Sequence, residues 1–270
     1  MEAITLGPLV LPVSRLPGLV ALIILLVGSE LFNKRYPGLA RWGWLTVLVS
    51  ASGSRLIYAT GAPSAYLSEP WTLLYFWQPG FSIWGAVLSA VVFTGFYLYK
   101  KTKLFPISLA NLTIAGLAGL VLLLLAPGNQ LTSEGLPAQA FANLEGKELA
   151  LTEFQGKPLI INLWATWCPP CRREMPMLES FEKDDRVQLI MINQGESPVA
   201  VDQFLRSQNF NFSRVLIDTH QEAGQLFKAP GLPATLFYNA KGEQVDRHFG
   251  ELSRAQIERF IQQQASLLDK

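Results

Sequence analysis

Long uncharged apolar runs fill the first 126 residues of this chain and are missing from the rest. A chain so divided has to satisfy two solvents. Its first part must bury backbone polar groups inside helices that lipid can surround, and its second part must build an ordinary core in water. Four stretches are long enough to read as membrane spans. The first runs from Pro17 to about Phe32, and with the preceding Leu9-Val10-Leu11-Pro12-Val13 it approaches the ~20 residues a bilayer requires. The second runs from about Leu39 to Thr60, the third from about Ser82 to Tyr99, and the fourth, the most apolar, from Ile107 to Ala126. Pro70 to Trp77 is aromatic and suits the membrane interface. Met1 to Arg15 lacks a basic n-region followed by a cleavage site, so no cleaved signal peptide is expected.

Basic residues orient the spans. Lys34, Arg35 and Arg41 crowd the first inter-span loop, and Lys100, Lys101 and Lys103 the third, while the loop around Glu69 has neither Lys nor Arg. Positive loops stay in the cytoplasm. The N-terminus and everything after the fourth span are therefore expected outside, on the periplasmic face of a bacterial inner membrane. The second span carries Arg55 near one end. An intramembrane Arg is a functional position by default, but its place near the end of the span favours snorkelling to the interface. The chain has 270 residues, 50% hydrophobic and 16% charged, with a net charge of +1. A balance so near zero argues against nucleic acid as a partner.

Three regions are expected: a membrane domain over 1–126, a Pro- and Gly-bounded linker over 127–137, and a soluble α/β domain over 138–270. In the last, apolar runs at 159–163, 187–192, 215–217 and 234–238 read as strands. They are separated by helical patterns near 170–183, 198–207 and 221–228, with hairpins around Glu145-Gly146-Lys147 and Asn239-Ala240-Lys241-Gly242. A closing amphipathic helix starts near Ser253, its expected cap. The predicted fold is a central mixed sheet with helices on both faces.

Both cysteines of the chain fall in Trp167-Cys168-Pro169-Pro170-Cys171, where the first core strand gives way to a helix. Two thiols at this spacing form a dithiol–disulfide couple. Cys168 falls at the helix N-terminus, where free N–H groups favour a thiolate. Such a thiolate attacks a substrate disulfide, and Cys171 resolves the mixed disulfide. Zinc needs four ligands, and there is no second pair of cysteines; His220 and His248 are remote in sequence, so no metal is expected. A purely structural disulfide closing so short a loop would stabilise little. No cofactor is expected beyond the Cys168–Cys171 couple. Disulfide chemistry belongs outside the cytoplasm, in agreement with the charge-based orientation.

Residues 138 to 265 resemble the thioredoxin superfamily, and within it the TlpA/ResA group of membrane-anchored thiol-disulfide oxidoreductases. The resemblance rests on Asn162 through Cys171, Glu174, Pro176, Asn193-Gln194-Gly195-Glu196-Ser197 and Gly231-Leu232-Pro233-Ala234-Thr235. It implies that Pro233 is a cis-proline beside the cysteines and that the Leu232 backbone pairs with a substrate peptide as an added strand. It implies that Glu174 tunes cysteine protonation; a solvated helix Glu is the plain alternative. Asn162 stands where thioredoxin has a buried Asp, which moves any proton-transfer role toward Glu174. Trp164 and Trp167 are expected to pack around the site, with Pro169 and Pro170 between the cysteines. The implied activity is reduction of disulfides in extracytoplasmic client proteins such as apocytochrome c. With no cysteine in the membrane half, the electrons must come from a separate transmembrane donor.

The first hundred residues resemble the N-terminal part of prolipoprotein diacylglyceryl transferase, through Thr5 to Leu9, Ser54 to Tyr58, Pro70 to Trp77 and Gly80 to Gly85. The family's His-Gly-Gly is replaced by Trp84-Gly85-Ala86, and its later Gly-Arg-x-x-Asn-Phe segment is absent. A scaffold without transfer activity is therefore expected. Lipid transfer with a regulatory redox domain, and a tethered binding module without turnover, remain as rival readings.

Overall fold

The structure, a computed structural model, describes residues 3–6, 9–12, 16–76, 78–99, 101, 103–125 and 135–268. The chain forms two compact units that divide near residue 129.

The first unit opens with an antiparallel pair, β1 (Ala3–Leu6) and β2 (Leu9–Pro12), in register Ala3↔Pro12 through Leu6↔Leu9. Leu9 to Pro12 therefore forms a strand and does not lengthen the first span, as had been expected. Helices follow: α1 (Leu16–Leu31), α2 (Leu39–Thr60), the short α3 (Pro63–Ser68), α4 (Ile83–Leu98) and α5 (Phe105–Leu125). All four expected spans are helical. Among the described residues only α5, with 21 residues, is both long and apolar enough to cross a bilayer; α1 and α4 are apolar but have 16 residues each. At 1.5 Å per residue those two reach about 24 Å, against a hydrocarbon core of ~30 Å.

Small residues let these helices approach. A Cβ on Gly85 of α4 would meet Ser54 Cα of α2 at 2.9 Å, and one on Gly43 would run into the Ser29 side chain of α1. Buried polar side chains tie helix to helix: Trp42 Nε1 donates to Thr94 Oγ1 at 3.3 Å, and Asn111 Nδ2 to the Leu25 carbonyl at 3.0 Å. Small residues and interhelical hydrogen bonds of this kind are also what packs helices where apolar contact alone gives no preference.

Arg55 departs from the expectation of snorkelling, for it is 2% exposed. Nη2 donates to the Thr72 carbonyl at 2.7 Å and Nη1 to the Gly80 carbonyl at 3.2 Å. The ring of Phe81 lies 5.3 Å from its guanidinium carbon and that of Tyr66 5.8 Å. The physical reason is local. The stretch from α3 to α4 is mostly irregular, including a 3₁₀ turn over Pro70–Leu74, and turns toward the guanidinium the Gly80 carbonyl and the Thr72 carbonyl, which also accepts from the Tyr75 N–H at 3.1 Å. A buried guanidinium satisfies them, and aromatic faces stabilise its charge.

The second unit carries a seven-stranded sheet in the order β4-β3-β7-β6-β5-β8-β9. The strands are β3 (Ala140–Asn143), β4 (Glu148–Ala150), β5 (Leu159–Trp164), β6 (Gln188–Gln194), β7 (Val215–Asp218), β8 (Ala234–Tyr238) and β9 (Gln244–Phe249). The helices are α6 (Pro169–Ser180), α7 (Pro198–Ser207), α8 (Glu222–Leu226) and α9 (Arg254–Leu268). β5, β6 and β7 run parallel, while β8 and β3 join antiparallel, so the sheet is mixed. Successive residues of β5 feed opposite faces: Ile160 and Trp164 enter one apolar cluster, Leu159, Ile161 and Leu163 the other. That is why β5 reads as a continuous apolar run, and each fully buried aliphatic chain there contributes about 1.5–3 kcal/mol. Pro176 sits inside α6. Ser253 stands just before α9 as expected: its carbonyl accepts from the Gln256 N–H at 3.0 Å, and its N–H and Oγ both bond Gln256 Oε1, at 3.0 and 3.2 Å. Most of the expected linker lies outside the described residues. Its far end belongs to the α/β core: Leu136 is buried and its N–H donates to the Gly242 carbonyl at 2.7 Å.

Candidate active site

β5 ends at Trp164, and the chain turns through Ala165, Thr166 and Trp167 into α6. Cys168 is the N-cap, with extended backbone angles (φ −88°, ψ 104°), and its Sγ accepts from the Cys171 N–H at 3.3 Å. Pro169 and Pro170 occupy the first turn, where a missing N–H costs nothing and a fixed φ favours the helix. The sulfurs of Cys168 and Cys171 are bonded at 2.01 Å, with Cα atoms 5.3 Å apart. Cys171 is fully buried and Cys168 is 3% exposed, while Trp167 beside it is 65% exposed. Of the two cysteines, Cys168 lies nearer the surface. Trp164 is wholly buried, 5.8 Å from the Phe204 ring.

Sheet register brings a second segment to the same place. β8 pairs antiparallel with β5, with Ala234 opposite Leu163. Residues preceding Ala234 thus lie at the sheet end from which the chain leaves β5 toward Cys168. Those residues are Leu232 and Pro233, and the peptide bond between them is cis. Pro233 is buried; Leu232 is half-buried and packs against the clusters on both faces of the sheet.

Glu174 is three residues beyond Cys171, on the same face of α6. It is 2% exposed. Asn162 Nδ2, from β5, donates to Oε1 at 2.8 Å and also to Thr235 Oγ1 at 3.1 Å, while the Leu252 N–H donates to Oε2 at 2.8 Å. Burial pushes its carboxyl up from 4.5 to about 8; those two hydrogen bonds and Arg173 act in the opposite direction, and the Glu251 charge adds to the rise. A solvated helix Glu is thereby excluded. The group can hold a proton at neutral pH and release it slightly above, next to a thiol pair that exchanges protons when it turns over.

Glu196, within one of the quoted motifs but given no role from sequence, clamps the turn before Cys168. It accepts from the Thr166 N–H at 2.7 Å, from Thr166 Oγ1, and from Asn193 Nδ2 at 2.8 Å. Asn193, next to last in β6, lies opposite Trp164 of β5, so the clamp spans adjacent strand ends. His220 is exposed, whereas His248 is half-buried, its Nε2 3.2 Å from the Glu251 carbonyl.

Residues 132–258 match the Redoxin family, and residues 18–131 match the prolipoprotein diacylglyceryl transferase family. The thiol-disulfide oxidoreductase ResA of Bacillus subtilis (strain 168) is 32% identical over 139 residues, covering 50% of this chain and 77% of the relative. The chain belongs to the ResA family of thiol-disulfide oxidoreductases. The ResA of Halalkalibacterium halodurans is likewise 32% identical, over 44% of this chain and 69% of its own length. Among solved structures, the Bacillus subtilis protein StoA is 24% identical with a TM-score of 0.40, covering 46% of this chain and 98% of that one. A secreted Mycobacterium tuberculosis disulfide oxidoreductase is 25% identical with a TM-score of 0.42, covering 47% and 96%. This ResA-family chain is thus an enzyme of thiol–disulfide exchange, fused to a helical region of transferase type.

Proposed function

We propose that this chain is a membrane-anchored, extracytoplasmic protein-disulfide reductase working through Cys168 and Cys171. The observation that carries the reading is the bonded sulfur pair on a helix N-terminus, buried beside the exposed Trp167. In the reduced enzyme the Cys168 thiolate attacks a client disulfide, forming a Cys168–client disulfide and releasing one client thiolate. The Cys171 thiolate then attacks the Cys168 sulfur, forms the intramolecular disulfide and releases the second. Two electrons pass to the client, and two protons end on its thiols. Glu174, in its ionised form, takes the Cys171 proton as that sulfur attacks and passes it to the departing client thiolate; the second proton, lost when Cys168 ionised, comes from solvent. Leu232, before the cis-proline, offers its backbone to the client segment as an added strand. Reduction of the resulting disulfide takes two electrons from a separate transmembrane dithiol donor, since the helical region has no cysteine.

The helical region is read as a four-span anchor with the N-terminus and the α/β unit outside. Its basic loops support the orientation, and the apolar side chains exposed along α4 and α5, such as Trp84, Phe96, Leu117 and Leu124, suit acyl chains. The shorter α1 and α4 require local thinning of the bilayer. The transferase match favours lipid transfer as a second reading; against it, Arg55 is engaged by backbone carbonyls. Insulin-disulfide reduction by the full chain tests the first reading: Cys168→Ser should abolish it, and undiminished turnover in that variant would refute the assignment. Transfer of a labelled diacylglyceryl group to a lipobox peptide would establish the second.

A further inference from the structure

Three successive residues after β9 each reach a different part of the dithiol site. Gly250, at φ 99°, donates its N–H to the Pro233 carbonyl at 2.9 Å. The Glu251 carboxylate accepts from Arg173 Nε at 2.9 Å and from Arg173 Nη2 at 2.7 Å. The Leu252 N–H donates to Glu174 Oε2 at 2.8 Å. One tripeptide thus joins the cis-proline loop, the cysteine helix and the buried acid. None of its three contacts is local in sequence, so the turn has no such geometry unless the sheet and α6 are already in place.

The middle contact differs from the other two because it is charged on both sides. Glu251 is the sheltered partner, with 13% of its side chain exposed against 57% for Arg173. These are the two charges that act on Glu174, in opposite senses: Glu251 favours the protonated carboxyl and Arg173 the ionised one. The other groups facing Glu174 are neutral: Asn162 from β5, with Thr235 of β8 behind it, and the Leu252 N–H. On its own helix Cys171 lies one turn earlier, bonded to Cys168 in this state. His248 of β9 approaches the backbone carbonyl of Glu251, at 3.2 Å.

We propose that Arg173 and Glu251 are positioning residues of the exchange reaction: their ion pair holds the Gly250–Leu252 turn across the site, and their opposed charges adjust how readily Glu174 gives up its proton. The proposal rests on the reading of Glu174 as the proton-holding group. Paired, the two charges largely cancel at the Glu174 carboxyl. Removing either one uncovers the other, so the two substitutions act with opposite sign, although both cut the same salt bridge.

The experiment uses the full chain in detergent, oxidised so that neither cysteine titrates, with ¹³C-labelled glutamate carboxyls. The Glu174 signal is identified by its loss in Glu174→Gln. Its titration midpoint should fall by roughly 0.3–0.7 pH unit in Glu251→Gln and rise by a similar amount in Arg173→Gln, the size of one partly screened charge. The double variant should lie near the wild type. Midpoints that move in the same direction in both single variants, or in neither while Glu174 still titrates near 8, would overturn the proposal and leave the role of Glu174 standing. A wild-type Glu174 titrating in the ordinary carboxylate range would remove the reading beneath it as well.

Discussion

Glu174 makes the stability of the α/β unit depend on pH in a direction opposite to that of most carboxylates. In the unfolded chain it titrates at its ordinary value of 4.5; folded, burial pushes it up to about 8. Between those values the folded state holds a proton that the unfolded state has lost. Its contribution to stability is therefore complete below pH 4.5 and disappears as pH rises through 8. The slope in that window approaches 1.36 kcal/mol per pH unit, so on the order of 4 kcal/mol is at stake between pH 5 and pH 8. Glu174→Gln removes the titration and leaves a roughly constant cost. One of the two donors that meet the carboxyl, Asn162 Nδ2 and the Leu252 N–H, then faces an NH₂ group, a loss of about 1–3 kcal/mol. The variant should be the less stable protein at pH 5 and the more stable one at pH 9. Urea midpoints of the oxidised full chain in detergent, taken for both proteins from pH 5 to 9, measure the difference with other titrations cancelled. A difference that stays flat across the range, or that grows in favour of the wild type as pH rises, would show that the carboxyl is not held protonated by burial.

Glu196→Ala leaves the Thr166 N–H and the Asn193 amide without their acceptor; a loss of roughly 1–3 kcal/mol is expected, with slower insulin reduction because the turn presenting Trp167 and Cys168 is released. Urea unfolding and initial rates measured on one preparation check both effects. Gly85→Val forces side-chain atoms into the Ser54 backbone and should separate α2 from α4, seen as loss of an engineered disulfide between these helices under mild oxidation. Arg55→Met removes the guanidinium donors of the Thr72 and Gly80 carbonyls and should make the stretch around them more open to limited proteolysis than in the wild type.

Whether a feature could be read from sequence depended on how local its cause is. The strands and the position of the dithiol were legible because apolar alternation, glycine turns and the Cys-Pro-Pro-Cys spacing each act within a few residues. The register that sets Ala234 opposite Leu163 was not, although the Gly-Leu-Pro-Ala-Thr motif pointed to Pro233 before the strand pairing explained its place. Arg55 was misread for the same reason. Its distance from the end of a span suggested an exit to the interface, but the carbonyls that hold it belong to a stretch seventeen to twenty-five residues away, whose irregular backbone has no signature beyond its prolines. Glu174 lies between the two cases. Its spacing from Cys171 is local and placed it on the cysteine face of α6. Its burial depends on Asn162, twelve residues before it, and Leu252, seventy-eight after it. An acid recognised by position alone is equally consistent with a solvated helix Glu. It is a buried acid only with the turn after β9 closed over it, so its protonation rests on a contact that no local pattern announces.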